Sequence, residues 1–265
     1  MYDSLADLPL VVDSVGTVRH ERDTSSGFVR ASTVVELSGG GLTGRGEDVT
    51  YEYDEHDPGR WDAIALDLAG QYTFDSFSAT LAETELFPEP PGREVFESYR
   101  RWGFESAALD LALRQADTAL SERVGRSVDP VDFVISTRLS DAESDESPTA
   151  DPIERWLDID STLRFKTDPT PGWSEAVIED LAATDAIVTL DFKGHYQGTE
   201  VDNPADPEFY ERLLDAFPDA VIEDPALTEE TRPLFEGHED RVSWDALIHG
   251  IADIEALPVE PSWCN

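Results

Sequence analysis

Lysine is almost missing from this 265-residue chain. Only Lys166 and Lys193 are present, and the other seventeen of its 19 basic residues are arginine. Positive charge is scarce altogether: 58 Asp and Glu leave a formal net charge of -39. Phosphate backbones and anionic membrane surfaces are bound through Lys and Arg clusters, so this balance argues against both as partners. There is one cysteine, Cys264, which excludes an internal disulfide and suits the cytosol. No apolar run approaches the roughly 20 residues of a membrane span, and Met1-Tyr2-Asp3 does not open a signal peptide. Motifs for nucleotide binding, a nucleophile elbow and paired Cys-x-x-Cys are all lacking. The five histidines (His20, His56, His195, His238 and His249) are scattered without ligand spacing and read as non-catalytic, with His195 and His249 closest to strand ends.

What is present begins with the acid excess. Carboxylates at this density keep a protein hydrated in concentrated salt, so the surface reads as that of a halophile. Hydrophobic residues make up 40%, enough for a real core. Up to about residue 96 the chain reads as strands and loops. Leu8 to Arg19, Phe28 to Leu37 and Leu42 to Tyr53 suggest an antiparallel meander, with a polar loop at His20 to Gly27. From Arg93 to Val124 apolar residues recur at helical spacing, among them Phe96, Phe104, Ala107, Ala108 and Leu111.

After Pro130 the pattern becomes a strand at Val131 to Leu139 and an acidic loop at Ser140 to Ala150. Strand and helix then alternate. Strands are expected at Leu163–Lys166, Ile187–Lys193, Ala220–Glu223, Arg241–Asp245 and from Ser262. Helices are expected at Trp173–Ala183, Glu208–Phe217, Glu229–Phe235 and Gly250–Leu257. Repeated βα units predict a parallel sheet of TIM-barrel type, whose functional residues stand at the C-terminal ends of strands. Those ends carry Arg164 and Lys166, then Asp191 and Lys193, then Glu223 and Asp224, then Asp245. Both lysines close an apolar run. Three carboxylates converging on one barrel mouth repel unless a cation lies between them, and Mg²⁺ suits all-oxygen ligands. An amine beside it, desolvated and close to Arg164, would lose its proton more easily and could abstract one next to a carboxylate.

This ordered set resembles the enolase superfamily, in particular its mandelate racemase/muconate lactonizing enzyme-like branch. The matching pieces are Arg164-x-Lys166, Asp191, Glu223-Asp224-Pro225 and Asp245. Gly44-Arg45-Gly46-Glu47 is similar to the GxGE of the capping domain, and Ala107 to Leu113 to the helix before the barrel. The resemblance implies an α+β capping domain over residues 1–129 and a (β/α) barrel over 130–265. It implies Mg²⁺ held by Asp191, Glu223 and Asp245, with Lys166 as acid/base. Arg164 would steer the substrate carboxylate or tune Lys166, and the loop His20 to Gly27 would close over the substrate. Lys193 stands where relatives carry Asn, and would bind a substrate anion or neutralise Asp191. Asp224 reads as support for the next turn. The implied activity is that of an isomerase or lyase acting through an enolate on a small carboxylate: cycloisomerase, o-succinylbenzoate synthase, or amino-acid or dipeptide epimerase. Homo-oligomers are common in the family. The chain ends as a sixth strand begins, about three βα units short of an eight-stranded barrel. The alternative expectation is therefore a truncated, non-catalytic enolase-like protein that binds metal or serves as structure.

Overall fold

The computed structural model describes residues 2–24, 28–139, 147–196, 203–248, 251–258 and 263–264. The chain divides into two compact units, Met1–Pro130 and Val131–Asn265.

In the first unit, β1 (Pro9–Val12) pairs antiparallel with β5 (Gly70–Thr73). A three-stranded antiparallel sheet runs in the order β2 (Ser14–Asp23), β3 (Val29–Gly39), β4 (Leu42–Asp48). The expected meander is therefore present, but the run from Leu8 to Arg19 is split. Asp13 interrupts it, its carboxylate accepting from the Gly40 N–H at 3.0 Å, and the two halves join different sheets. His20 to Asp23, expected in a loop, extend β2. The remainder of that loop, residues 25–27, lies outside the described residues.

The helix Val95–Gln115 buries Phe96, Arg100, Phe104, Ala107, Ala108, Leu111 and Ala112, the face its periodicity predicts. Gly44 and Gly46 of β4 let it approach closely: a Cβ on Gly46 would lie 2.0 Å from the Gly103 carbonyl oxygen. A shorter helix, Phe74–Ala82, stands where loops were expected. Its capping box at Thr73 and Ser76 satisfies two N-terminal donors, and its buried Phe74, Phe77 and Leu81 hold it against the same core.

The second unit holds a wholly parallel sheet in sequential order: β6 (Ile135–Ser136), β7 (Phe165–Thr167), β8 (Ile187–Asp191), β9 (Val221–Glu223), β10 (Val242–Trp244) and β11 (Trp263–Cys264). Helices Asp151–Ile159, Glu175–Ala183 and Pro207–Ala216 fill the crossovers between them. Ser174 and Asp206 cap the last two through side-chain oxygens that accept backbone N–H groups. Phe165, Leu190, Phe192, Ile222 and Trp244 pack with Phe209, Tyr210 and Leu213 in one core.

Several expected elements are shorter here. The strand Val131–Leu139 contracts to Ile135–Ser136, leaving Phe133 exposed. The helix Glu229–Phe235 is only a 3-10 turn at Arg232–Phe235, with Pro233 inside it. The helix Gly250–Leu257 contracts to Ile251–Ile254, and Asp151–Ile159 was not anticipated. Positions 140–146 of the acidic loop, His249 and Gly250 lie outside the described residues. No helix among the described residues is long and apolar enough to cross a membrane.

Candidate metal and proton-transfer site

Parallel register places the chemistry. Asp191 is level with Glu223, and Glu223 with Ser243. Partners in register share a sheet face, as do residues two apart along a strand. Lys166 pairs with Thr189, two before Asp191. Lys166, Asp191, Glu223 and Ser243 therefore lie on one face, opposite the one that packs Leu190 and Ile222 among the apolar core.

Asp191, Glu223 and Asp224 are fully buried, and one oxygen of each lies within 4.8 Å of the others. The Lys166 ammonium donates to Glu223 Oε1 at 2.5 Å and lies 3.0 Å from Asp191 Oδ2. Lys193 also pairs with Asp191 Oδ2, and its backbone N–H donates to Asp191 Oδ1 at 3.2 Å. Asp224 accepts from the N–H groups of Asp245 and Ala246, each at 2.9 Å, and so holds the chain leaving β10. That is the supporting role expected of it, but its carboxylate also belongs to the cluster.

Lys193 and Asp224 both have left-handed backbones, φ 51° and 47°. Such conformations cost non-glycine residues energy and cluster at functional sites. Gly194 lies against the chain after β9: its N–H donates to the Asp224 carbonyl at 2.9 Å, and a Cβ would meet the Ala226 nitrogen at 2.3 Å.

Burial raises the pKa of Glu223 above the ordinary carboxylate range, the Lys166 hydrogen bond opposing it and Asp191 adding to it. Burial raises Asp224 likewise, against the two backbone donors. Burial works to lower the Lys166 pKa, but the Glu223 hydrogen bond and the charges of Asp191 and Glu223 outweigh it and hold the ammonium above its ordinary range. Its close neighbours are two carboxylates, which favour the charged amine, whereas the guanidinium of Arg164 bonds elsewhere.

Arg164 was expected to steer the substrate carboxylate or tune Lys166. Its guanidinium donates to the carbonyls of Thr162 and Leu163, at 3.2 and 2.9 Å, on the entry side of β7. It directly precedes the first residue of β7, and its carbonyl accepts from the Ile135 N–H of β6 at 2.8 Å. Asp245, expected as the third ligand, is exposed, stands just beyond the end of β10 and lies outside the group of three buried acids.

Two residues escaped sequence reasoning. The Ser243 hydroxyl is buried without a hydrogen-bond partner among the described residues, level with Glu223. Its position two before Asp245 was the available signal. Tyr196 carries a phenol whose pKa is raised by burial, then by Asp245, Asp224, Asp191 and Glu223. The His195 ring lies 5.6 Å from that of Trp244, with its Nε2 buried and without a partner among the described residues.

The donor chemistry fits a hard divalent cation: three buried carboxylates within reach of one another and, level with Glu223, a hydroxyl with no partner among the described residues, all oxygen. The acid cluster is the part of the site that a metal could use.

Solved structures of muconate lactonizing and enolase-superfamily proteins are similar in fold to this chain. The muconate lactonizing enzyme from Pseudomonas putida matches 93% of this chain and 69% of its own, with 18% identity and a TM-score of 0.58. A mandelate racemase/muconate lactonizing protein from Herpetosiphon aurantiacus matches 94% and 70%, with 15% identity and a TM-score of 0.64. A member of the enolase superfamily from Listeria innocua matches 93% and 67%, at 15% identity and 0.56. The chain belongs to the DUF8230 family: residues 3–123 match its N-terminal domain and residues 127–265 its C-terminal domain, both described as a domain of unknown function. No curated protein matches by sequence.

Proposed function

We propose that the second unit is the arc of a (β/α) barrel whose strand-end cluster binds a divalent cation, Mg²⁺, together with a small carboxylate substrate. In this reading Asp191 and Glu223 are the cation's ligands, with Asp224 beside them, and Lys166 moves the proton at the carbon next to the substrate carboxylate. The bound cation would draw off the negative charge that develops as that proton leaves. The reaction class is that of an isomerase or lyase of the cycloisomerase, o-succinylbenzoate synthase or amino-acid/dipeptide epimerase type. The observation that carries this is one arrangement: an amine from β7 within 3.0 Å of two buried carboxylates from β8 and β9, on a shared face. With a net charge of -39, neither nucleic acid nor an anionic membrane is a suitable partner.

A second reading, a metal-free structural relative, is favoured by the two ammonium groups that already balance the acids. Calorimetric titration with Mg²⁺ and Mn²⁺ separates the two. The first reading expects one site, lost in Asp191→Asn while the thermal melt stays cooperative. Absence of binding, or binding unchanged in Asp191→Asn, would contradict it.

A further inference from the structure

Asp191 carries more positive partners than its single charge requires. Both lysine ammoniums converge on its Oδ2, while its Oδ1 takes the Lys193 N–H. Two like charges on one oxygen repel, so one of them is the more easily released. Lys166 has a second carboxylate in Glu223, which anchors it. Lys193 has no second carboxylate within salt-bridge distance among the described residues; its other neighbour is the Tyr196 ring, with Nζ 5.2 Å from the centroid. That ring face offers a seat for a cation.

The backbone supports the same division. Lys193 pairs with Asp191, two residues before it, from a left-handed backbone, φ 51°, which costs a non-glycine residue energy. The Ser243 hydroxyl, 1% exposed and without a partner among the described residues, stands level with Glu223 in the sheet. An incoming hydrated cation would give it an acceptor or donor. This buried hydroxyl is independent of the acids and points to a ligand in the cluster.

We propose that Lys193 is a displaceable internal counter-ion. Its ammonium holds Asp191 Oδ2 in the cation-free protein and leaves it, towards Tyr196, when a divalent cation enters between Asp191 and Glu223. The inference rests on the cation-site reading above and goes beyond it, because it makes the chain's own lysine the competitor that sets cation affinity.

Two measurements on the full chain test it, with Mn²⁺ as the probe. In calorimetry, Lys193→Met and Lys193→Gln are expected to bind Mn²⁺ at least about tenfold more tightly than the unaltered protein, because the competing occupant is gone. With only two lysines present, amine acylation followed by peptide mass spectrometry reads each separately. In the unaltered protein, Mn²⁺ is expected to speed acylation of Lys193, a result that does not depend on any variant folding. Equal or weaker binding in both variants, with acylation of Lys193 unchanged by Mn²⁺, would overturn the displacement and leave the cation site standing. No Mn²⁺ binding by any of the three proteins would overturn both.

Discussion

At the scale of single residues, His56 shows how a buried polar side chain is satisfied. Its Nε2 lies 2.9 Å from the Thr50 carbonyl oxygen, which can only accept, so Nε2 carries the hydrogen. Its Nδ1 lies 2.9 Å from the Thr33 hydroxyl, which can donate to it when the ring is neutral. Burial holds its pKa below the ordinary 6.5, against the Thr50 bond. The unfolded chain therefore binds a proton before the folded one as pH falls. The stability contributed by neutral His56 is fully present above 6.5 and is lost as pH drops through that value towards the folded pKa. Urea unfolding across this window should show stability falling with acid, and His56→Gln should flatten that segment. An unchanged slope in the variant would remove His56 as its source. Single residues also mark what sequence could not reveal. Lys166, Asp191 and Glu223 were legible because each stands at or near the end of an apolar run, whereas the direction of the Arg164 guanidinium, back to the Thr162 and Leu163 carbonyls, was not. Ser243 gave no signal beyond its spacing, since a serine in a strand says nothing about whether its hydroxyl finds a partner.

At the scale of elements, long regular periods were readable and short paired segments were not. The helix Val95–Gln115 announces itself through eight buried positions at three- and four-residue spacing. β5 is four residues long and pairs with a strand some sixty residues earlier, so nothing local foretells it. The parallel strands β8, β9 and β10 were visible as apolar runs because their outward face is buried under helices. Their C-terminal ends were less legible: the left-handed turns at Lys193 and Asp224 stop β8 and β9 in a way that residue type does not advertise. The close contact of β4 with the long helix yields a prediction. In Gly46→Ala the new methyl would meet the Gly103 carbonyl oxygen at 2.0 Å and the Ala107 nitrogen at 2.6 Å, both backbone. Helix and sheet must separate, and overpacking of this kind costs about 1–3 kcal/mol or more. Denaturant titration of the full chain should show a lower midpoint for Gly46→Ala. By contrast, Gly16→Ala, where nothing lies within 4 Å of the added carbon, should leave it nearly unchanged.

At the scale of the whole molecule, charge dominates. A net charge of -39 on 265 residues opposes compaction, and salt screens it over about 10 Å at 0.1 M and about 3 Å at 1 M. The melting temperature should rise steeply as KCl is raised through that range, whereas a protein held mainly by apolar burial would change little. The same acidity makes the buried cluster unusual. Of 58 acidic side chains, Asp191, Glu223 and Asp224 are a group brought together out of water, and both lysines of the chain are spent on it. Lysine scarcity pointed to a function, and the fold brings both lysines to one carboxylate, Lys166 bridging two strands and Lys193 closing back on one.

The central claim, that this cluster moves a proton next to a carboxylate, is tested most directly by proton exchange. The full chain is incubated in D₂O with Mg²⁺ and a panel of small carboxylates, including dipeptides and N-acyl amino acids, and the α-hydrogen is followed by NMR. The account predicts exchange of the α-hydrogen in at least one member, lost in Lys166→Ala while cation binding persists. Exchange that continues undiminished in Lys166→Ala, or no exchange across the panel by a protein that binds Mg²⁺, would contradict it.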